Sequence, residues 1–160
     1  MIRNRKRQRI DILIFLAGVL GVVGLDRLTK VCFSDFLGIN ESLAIIKGFF
    51  HFTLVHNTGI AFGLFKDSGS VFVVIPIILT VLLIYNIYYY RNTEYLSRLY
   101  IVAFSLILGG AIGNLIDRIV LGYVVDFIDF RIWPVFNIAD SAITIGAGII
   151  LFKCIPSSSK

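Results

Sequence analysis

From Val71 to Tyr90 the chain runs through twenty residues without a charge. A backbone in lipid has to satisfy its own hydrogen bonds, and about 20 apolar residues of helix cross the hydrocarbon core. Such a stretch predicts a transmembrane helix, and three more stretches share its character. One starts near Ile10 and reaches Asp26-Arg27-Leu28-Thr29-Lys30, which places those charges at its far end. Another runs from Leu99 to about Ile119, with Asn114, Asp117 and Arg118 near its close. The last runs from about Pro134 to Phe152, with Asp140 as its only charge. The predicted spans are thus about 10–30, 71–90, 99–119 and 134–152. Pro76 is tolerable inside a span because neighbouring helices satisfy the freed backbone group. Tyr85, Tyr88, Tyr89 and Tyr90 suit a membrane–water interface.

Composition agrees with a membrane protein. Apolar residues make up 58% of the chain and charged residues 16%, and the mean hydropathy is +0.89. Soluble domains are about half apolar and about a quarter charged. A length of 160 residues without repeats or linkers predicts a single domain, 1–160. The net charge of +5 does not point to nucleic acid, because the basic residues form no amphipathic face. Arg3, Arg5, Lys6, Arg7 and Arg9 precede the first apolar run, as in a topology signal. A cleaved signal peptide is disfavoured, since no small-x-small site ends that run and three more apolar segments follow.

Four spans put both termini on one side. The N-terminal segment, the link after the second span and the tail hold Arg3, Arg5, Lys6, Arg7, Arg9, Arg91, Arg98, Lys153 and Lys160. The other two loops hold Lys47, Lys66 and Arg131, with Lys30 at a helix end. The positive-inside rule therefore makes the termini cytoplasmic. Asp26, Lys30, Asn114, Arg118, Asp126 and Asp140 then all fall toward the external face. Cys32 and Cys154 lie at opposite faces, which argues against a disulfide. His51 and His56 read as ordinary polar residues of the first external loop, so no metal or other cofactor is expected.

That loop, about 33–70, has internal order. Gly48 to His56 is aromatic and β-branched, Asn57-Thr58-Gly59 reads as a turn, and Ile60 to Phe65 as a second strand. The expectation is a small antiparallel sheet at the outer membrane surface. The second external segment, Gly122 to Trp133, is short, and Trp133-Pro134 fits an interfacial anchor. The fold class is a membrane all-α protein with a small β element: four transmembrane helices plus an external antiparallel sheet.

Acids in or beside spanning sequence are expensive and mark function by default. Asp26 and Lys30 are an acid-then-base pair four apart, read equally as a helix-end salt bridge or as part of a site. Asn114 and Arg118 share a helix face, beside the small surface of Gly109, Gly110 and Gly113 that admits a close neighbour. Asp117 points elsewhere, so Arg118 needs Asp126, Asp140 or a lipid phosphate as partner. Asn137, Asp140, Ser141 and Thr144 share one face of the last helix. Two carboxylates brought together share a proton. One then takes a proton from water while the other protonates a peptide carbonyl. A small transporter or proton-conducting protein using the same acids is the main alternative, and a non-catalytic membrane scaffold a third reading. The clustering of polar residues at one face, rather than across the bilayer, counts against the transporter.

The ordered motifs are Asp26-Arg27-Leu28-Thr29-Lys30, His56-Asn57-Thr58-Gly59-Ile60-Ala61-Phe62-Gly63, Gly113-Asn114-Leu115-Ile116-Asp117-Arg118, Gly122-Tyr123-Val124-Val125-Asp126-Phe127 and Phe136-Asn137-Ile138-Ala139-Asp140-Ser141. With these the chain resembles the bacterial lipoprotein signal peptidases (signal peptidase II) along essentially its whole length. The resemblance implies an aspartyl endopeptidase of the bacterial inner (plasma) membrane, acting on diacylglyceryl-modified prolipoproteins and cutting before the lipidated cysteine. It implies Asp126 and Asp140 as the catalytic dyad, with Asp26, Lys30, Asn57, Gly59, Asn114, Arg118, Asn137 and Ala139 lining or supporting the site. It implies no metal. The expected partners are the prolipoprotein and membrane lipid, the expected state a monomer. Asp129 is the rival first acid, outside the matched Val-Asp-Phe core.

Overall fold

The structure is a computed structural model that describes residues 5–59, 74, 77, 78, 80–82, 85 and 98–154. Along the chain come α1 (Arg5–Phe36), β1 (Ser42–Ile46), β2 (Phe50–Asn57), α2 (Arg98–Val120), β3 (Val124–Asp129) and α3 (Ile138–Cys154). The protein is mostly helical, with a small three-stranded antiparallel sheet in the order β1-β2-β3. Of the second predicted span, positions 74, 77, 78, 80–82 and 85 are helical and the rest lies outside the described residues. So does the strand expected over Ile60 to Phe65.

Among the described residues, the stretches Lys6–Phe36 and Arg98–Val120 are long and apolar enough to cross a membrane. The first helix does not stop at the Asp26 to Lys30 charges, as the sequence suggested. It continues to Phe36, because those charges find partners inside the protein. At 32 residues it is about 48 Å long, well beyond a hydrocarbon core of roughly 30 Å. Its last turns bring Phe33 and Leu37 onto the sheet, where they pack with Phe52, Leu54, Val125 and Tyr123. Phe33 also stacks on Phe127, with ring centroids 4.3 Å apart.

α2 lies between α1 and α3 and touches both. The expected small surface on α2 is where this happens. A Cβ built on Gly110 would sit 2.4 Å from the Ala139 carbonyl oxygen, and one on Gly113 would sit 2.6 Å from Asp26 Oδ2. At Gly110 the obstacle is backbone, so only glycine permits the approach; at Gly113 it is the Asp26 carboxylate, which a Cβ would displace from its partners.

The sheet differs from the expectation. β2 lies where the aromatic run predicted it, but its partners are β1 upstream and β3 from the second external segment. Gly48, with φ of 77°, turns the chain between β1 and β2. Between the pairs Phe52–Ile128 and Val55–Asp126 the register shifts, so Thr53 and Leu54 oppose Phe127 alone, a bulge. The strand alternation then separates the two acids of β3. Asp126 and Asp129 are three apart and so point to opposite faces.

The last helix begins at Ile138 rather than Pro134. Asn137 is its N-cap: the Asp140 N–H donates to Asn137 Oδ1 at 2.9 Å, and the Asn137 N–H donates to Asp140 Oδ2 at 3.3 Å. This reciprocal arrangement is a capping box closed by an aspartate. Asn137 thus stands outside the helix, not on the face predicted to join it to Asp140, Ser141 and Thr144. Ser141 turns its hydroxyl back to the Asn137 carbonyl at 2.9 Å, while Asp140 and Thr144 face a cleft.

Candidate active site

β3 and the start of α3 bring Asp126 and Asp140 to the wall of one cleft of about 230 Å³, which Asn57, Asn114, Arg118, Trp133, Phe136 and Thr144 also line. Asp126 is held by two amides. Asn57 Nδ2 donates to its Oδ2 at 2.9 Å, and Asn137 Nδ2 donates to its Oδ1 at 2.7 Å. Asn57 is itself fixed by an Asx turn in which the Gly59 N–H donates to Asn57 Oδ1 at 2.9 Å. Asp140 accepts from Asn114 Nδ2 at 2.8 Å on Oδ1, and the capping box holds its other oxygen.

Burial pushes the Asp126 carboxyl up to about 7, and the neighbouring Asp140 carboxylate adds to the rise. The Asn57 and Asn137 donors pull the other way without cancelling it. At neutral pH this group therefore exchanges its proton readily, as a shared-proton pair requires. Asp129 sits in a different setting. Burial works to raise its carboxyl, but the Thr53 hydroxyl, at 2.6 Å, and the Arg131 N–H and guanidinium hold it below the usual range. It does not line the cleft that Asp126 and Asp140 line.

Behind the cleft lies a buried ion cluster. Lys30 Nζ is 2.8 Å from Asp26 Oδ2, 2.8 Å from Asp117 Oδ2, and donates to Asn114 Oδ1 at 2.9 Å. An ammonium has three N–H groups, and all three face an acceptor. Asp26 and Asp117 are fully buried and Lys30 is 2% exposed. Asp26 reaches α3 as well, since the Ala139 N–H donates to its Oδ1 at 3.0 Å. Asp26 and Lys30 are thus more than a helix-end pair; they connect α1 to the amide that holds Asp140. Arg118 stays near its own helix, with NH1 donating to the Asn114 carbonyl at 3.3 Å, and faces the cleft.

All ten positions singled out in the sequence fall in this one region. Two residues given no role there belong to it too. Asp117 points away from Arg118, as expected, and into the cluster, where it binds Lys30, Arg27 and the Val125 N–H. Arg27 pairs with Asp117. The signal for both was faint, a charge of either sign inside motifs whose other members were easier to interpret. Both histidines lie in β2, within the run expected to form a strand; His56 stacks on Tyr123 at 3.9 Å and His51 contacts Ser42 and Arg131.

A family model described as signal peptidase (SPase) II matches residues 13–156. The lipoprotein signal peptidase of Halothermothrix orenii is 46% identical over 133 residues, 83% of this chain and 89% of the relative. That of Cupriavidus necator is 40% identical over 157 residues, 93% of this chain and 87% of the relative. A solved structure described as a bacterial membrane enzyme superposes with a TM-score of 0.76 at 35% identity, covering 94% of this chain and 92% of its own. By this match along nearly its whole length, the chain belongs to the signal peptidase II family, the lipoprotein signal peptidases.

Proposed function

We propose that this protease works as an aspartyl endopeptidase, with Asp126 and Asp140 as its dyad. The observation that carries the reading is the shared cleft: two carboxylates from different elements, each positioned by amide donors, open onto the same space. With one proton between them, the ionised carboxylate takes a proton from water as the oxygen attacks the peptide carbonyl. The protonated one gives its proton to the carbonyl oxygen. The newly protonated carboxyl then gives its proton to the nitrogen as the C–N bond breaks, and the other carboxylate takes the proton of a hydroxyl of the intermediate, which returns the pair to its starting state. Membership of a peptidase family decides for hydrolysis over the proton-relay and scaffold readings.

The substrate proposed is a prolipoprotein carrying diacylglycerol, cut before the lipidated cysteine, as the name shared by the relatives suggests. The cleft suits such a chain. Trp133, Pro134, Val135, Phe136 and Ile143 give it apolar walls, while Asn57 and Arg118 offer donors to a peptide backbone. In this reading the chain is a single membrane domain of four spans, acting as a monomer. Its termini are cytoplasmic and its cleft lies toward the external face of the bacterial plasma membrane. The positive-inside count supports that orientation.

The test is cleavage of a diacylglyceryl-modified prolipoprotein by purified protein in detergent, with the unlipidated form as control. Asp126→Asn and Asp140→Asn should each lose about 10²- to 10⁴-fold in kcat, the usual worth of an acid or base, while remaining folded. Arg118→Ala should raise KM. Full cleavage by either Asn variant would end the dyad reading, equal cleavage of both substrates would end the lipid requirement, and an unchanged KM would remove Arg118 from substrate binding.

A further inference from the structure

One buried acid has contacts that the proposed reaction does not use. Asp117 is fully buried on α2, and each of two contacts leads from it to a different carboxylate of the dyad. Through Lys30 Nζ, 2.8 Å away, it reaches Asn114, whose Oδ1 accepts from that ammonium and whose Nδ2 donates to Asp140. An asparagine amide has an oxygen end and a nitrogen end of similar shape. A cation fixed on one side dictates that the nitrogen end faces the carboxylate on the other. Through the Val125 N–H, which donates to Asp117 Oδ2 at 3.2 Å, the same carboxylate holds β3 one residue before Asp126. Its remaining oxygen is bound by Arg27.

We propose that Asp117 is a positioning residue for both aspartates, fixing Asp140 through Lys30 and Asn114 and Asp126 through the backbone of β3, and that Arg27 is the counter-charge that tunes it. The inference rests on the dyad reading above. The cluster behind the dyad holds two acids, Asp26 and Asp117, and two bases, Lys30 and Arg27, so it is neutral as a whole. Removing one member changes the field at the dyad with a sign set by the member removed. Asp117→Asn leaves an excess positive charge and eases ionisation of the dyad. Arg27→Gln leaves an excess negative charge and opposes it. The Arg27 side chain is 31% exposed, so water screens its effect and the second change is the smaller. Among the described residues, the charged groups acting on the dyad are Lys30 from α1, Arg118 from α2 and the two carboxylates of β3 and α3 themselves, while Asp117 acts on Arg118.

The experiment measures kcat and KM against pH for the full-length protein in detergent with the lipidated substrate. Asp126→Asn and Asp140→Asn run beside the test variants. In Asp117→Asn the expected result is a loss of about 10²-fold in kcat, as for a small misplacement of reacting groups, with little change in KM and the alkaline limb moved to lower pH. In Arg27→Gln kcat falls only several-fold and the alkaline limb moves to higher pH. A purely structural role would lower the folded fraction in both and move neither limb. Limbs that stay in place or move together overturn the inference, as does an Asp117→Asn enzyme with wild-type kcat per folded molecule. Should Asp117→Asn not fold, the limb of Arg27→Gln decides alone: an upward shift supports the inference and an unmoved limb overturns it. Activity retained by Asp126→Asn or Asp140→Asn overturns the dyad reading itself, whereas inactive dyad variants with unmoved limbs overturn only the role of Asp117.

Discussion

Asn57, Asn114 and Asn137 supply side-chain donors to the two carboxylates, and each also accepts a hydrogen bond on its oxygen. A hydroxyl or a lysine in their place could not hold a carboxylate and take a backbone or ammonium donor in the same fixed plane. Their care of Asp126 does not offset its burial, and this has a consequence for stability. The Asp126 carboxyl titrates at about 7 in the folded protein, against an ordinary value of 3.8. Between those values the folded state holds more proton than the unfolded state. The stability this group contributes is therefore fully present below its unfolded value and is lost as the pH rises through about 7. The expected outcome is a melting temperature that falls from about pH 5 to about pH 8 more steeply in the wild type than in Asp126→Asn. Parallel curves would show that Asp126 does not titrate there. At this scale the sequence was legible where an acid or amide stood out against apolar neighbours, as Asp140 does. Asp117 was given no role because adjacency to Arg118 on a helix says only that the two diverge. Its true partners, Lys30 and Val125, come from other elements.

The elements divide the work between close approach and fixed edges. α2 meets α3 at Gly110 without an intervening side chain, and the backbone it meets belongs to Ala139, next to Asp140. In Gly110→Ala the new methyl would lie 2.4 Å from that carbonyl oxygen and 2.8 Å from Ile143 Cγ1. Overpacking of this kind costs about 1–3 kcal/mol. Because the strain falls at the start of α3, Gly110→Ala should lower kcat as well as the melting temperature, and a variant with both unchanged would show that the helices part easily. The helices and β2 were legible because length and side-chain type mark them directly. β3 was not. Val124 to Asp129 is six residues with two acids, and it becomes a strand only through pairing with β2, some seventy positions earlier in the chain. Likewise the apolar pattern cannot tell where α3 begins, because Pro134 to Phe136 are apolar without being helical; the Asn137 cap sets the boundary.

For the molecule as a whole, the proposed orientation has a direct check. Lys47 lies in the exposed turn between β1 and β2, at the end of the sheet expected to lie outside. In a background with Cys32→Ser and Cys154→Ser, Lys47→Cys in intact cells should react with a membrane-impermeant maleimide. Reaction only after the membrane is opened would invert the topology. The membrane character and the family were legible across the whole chain, since bilayer thickness and ordered motifs leave long-range marks. How three helices share one ion cluster was not, because burial of a charge depends on partners up to 113 positions apart.

That separation bears on how the protein is made. α1 leaves the ribosome before α2 and α3 exist, so in the proposed topology Lys30 would enter the bilayer before Asn114 and Asp117 have been synthesised. During that interval its one partner in the cluster beyond the neighbouring solvent is Asp26, four residues earlier on the same helix. A lone cation or anion at membrane depth is costly to insert, and a neutral pair on one helix is less so. In that topology the Asp26–Lys30 pair would lower the cost of inserting the first helix with the charges around which the later helices pack.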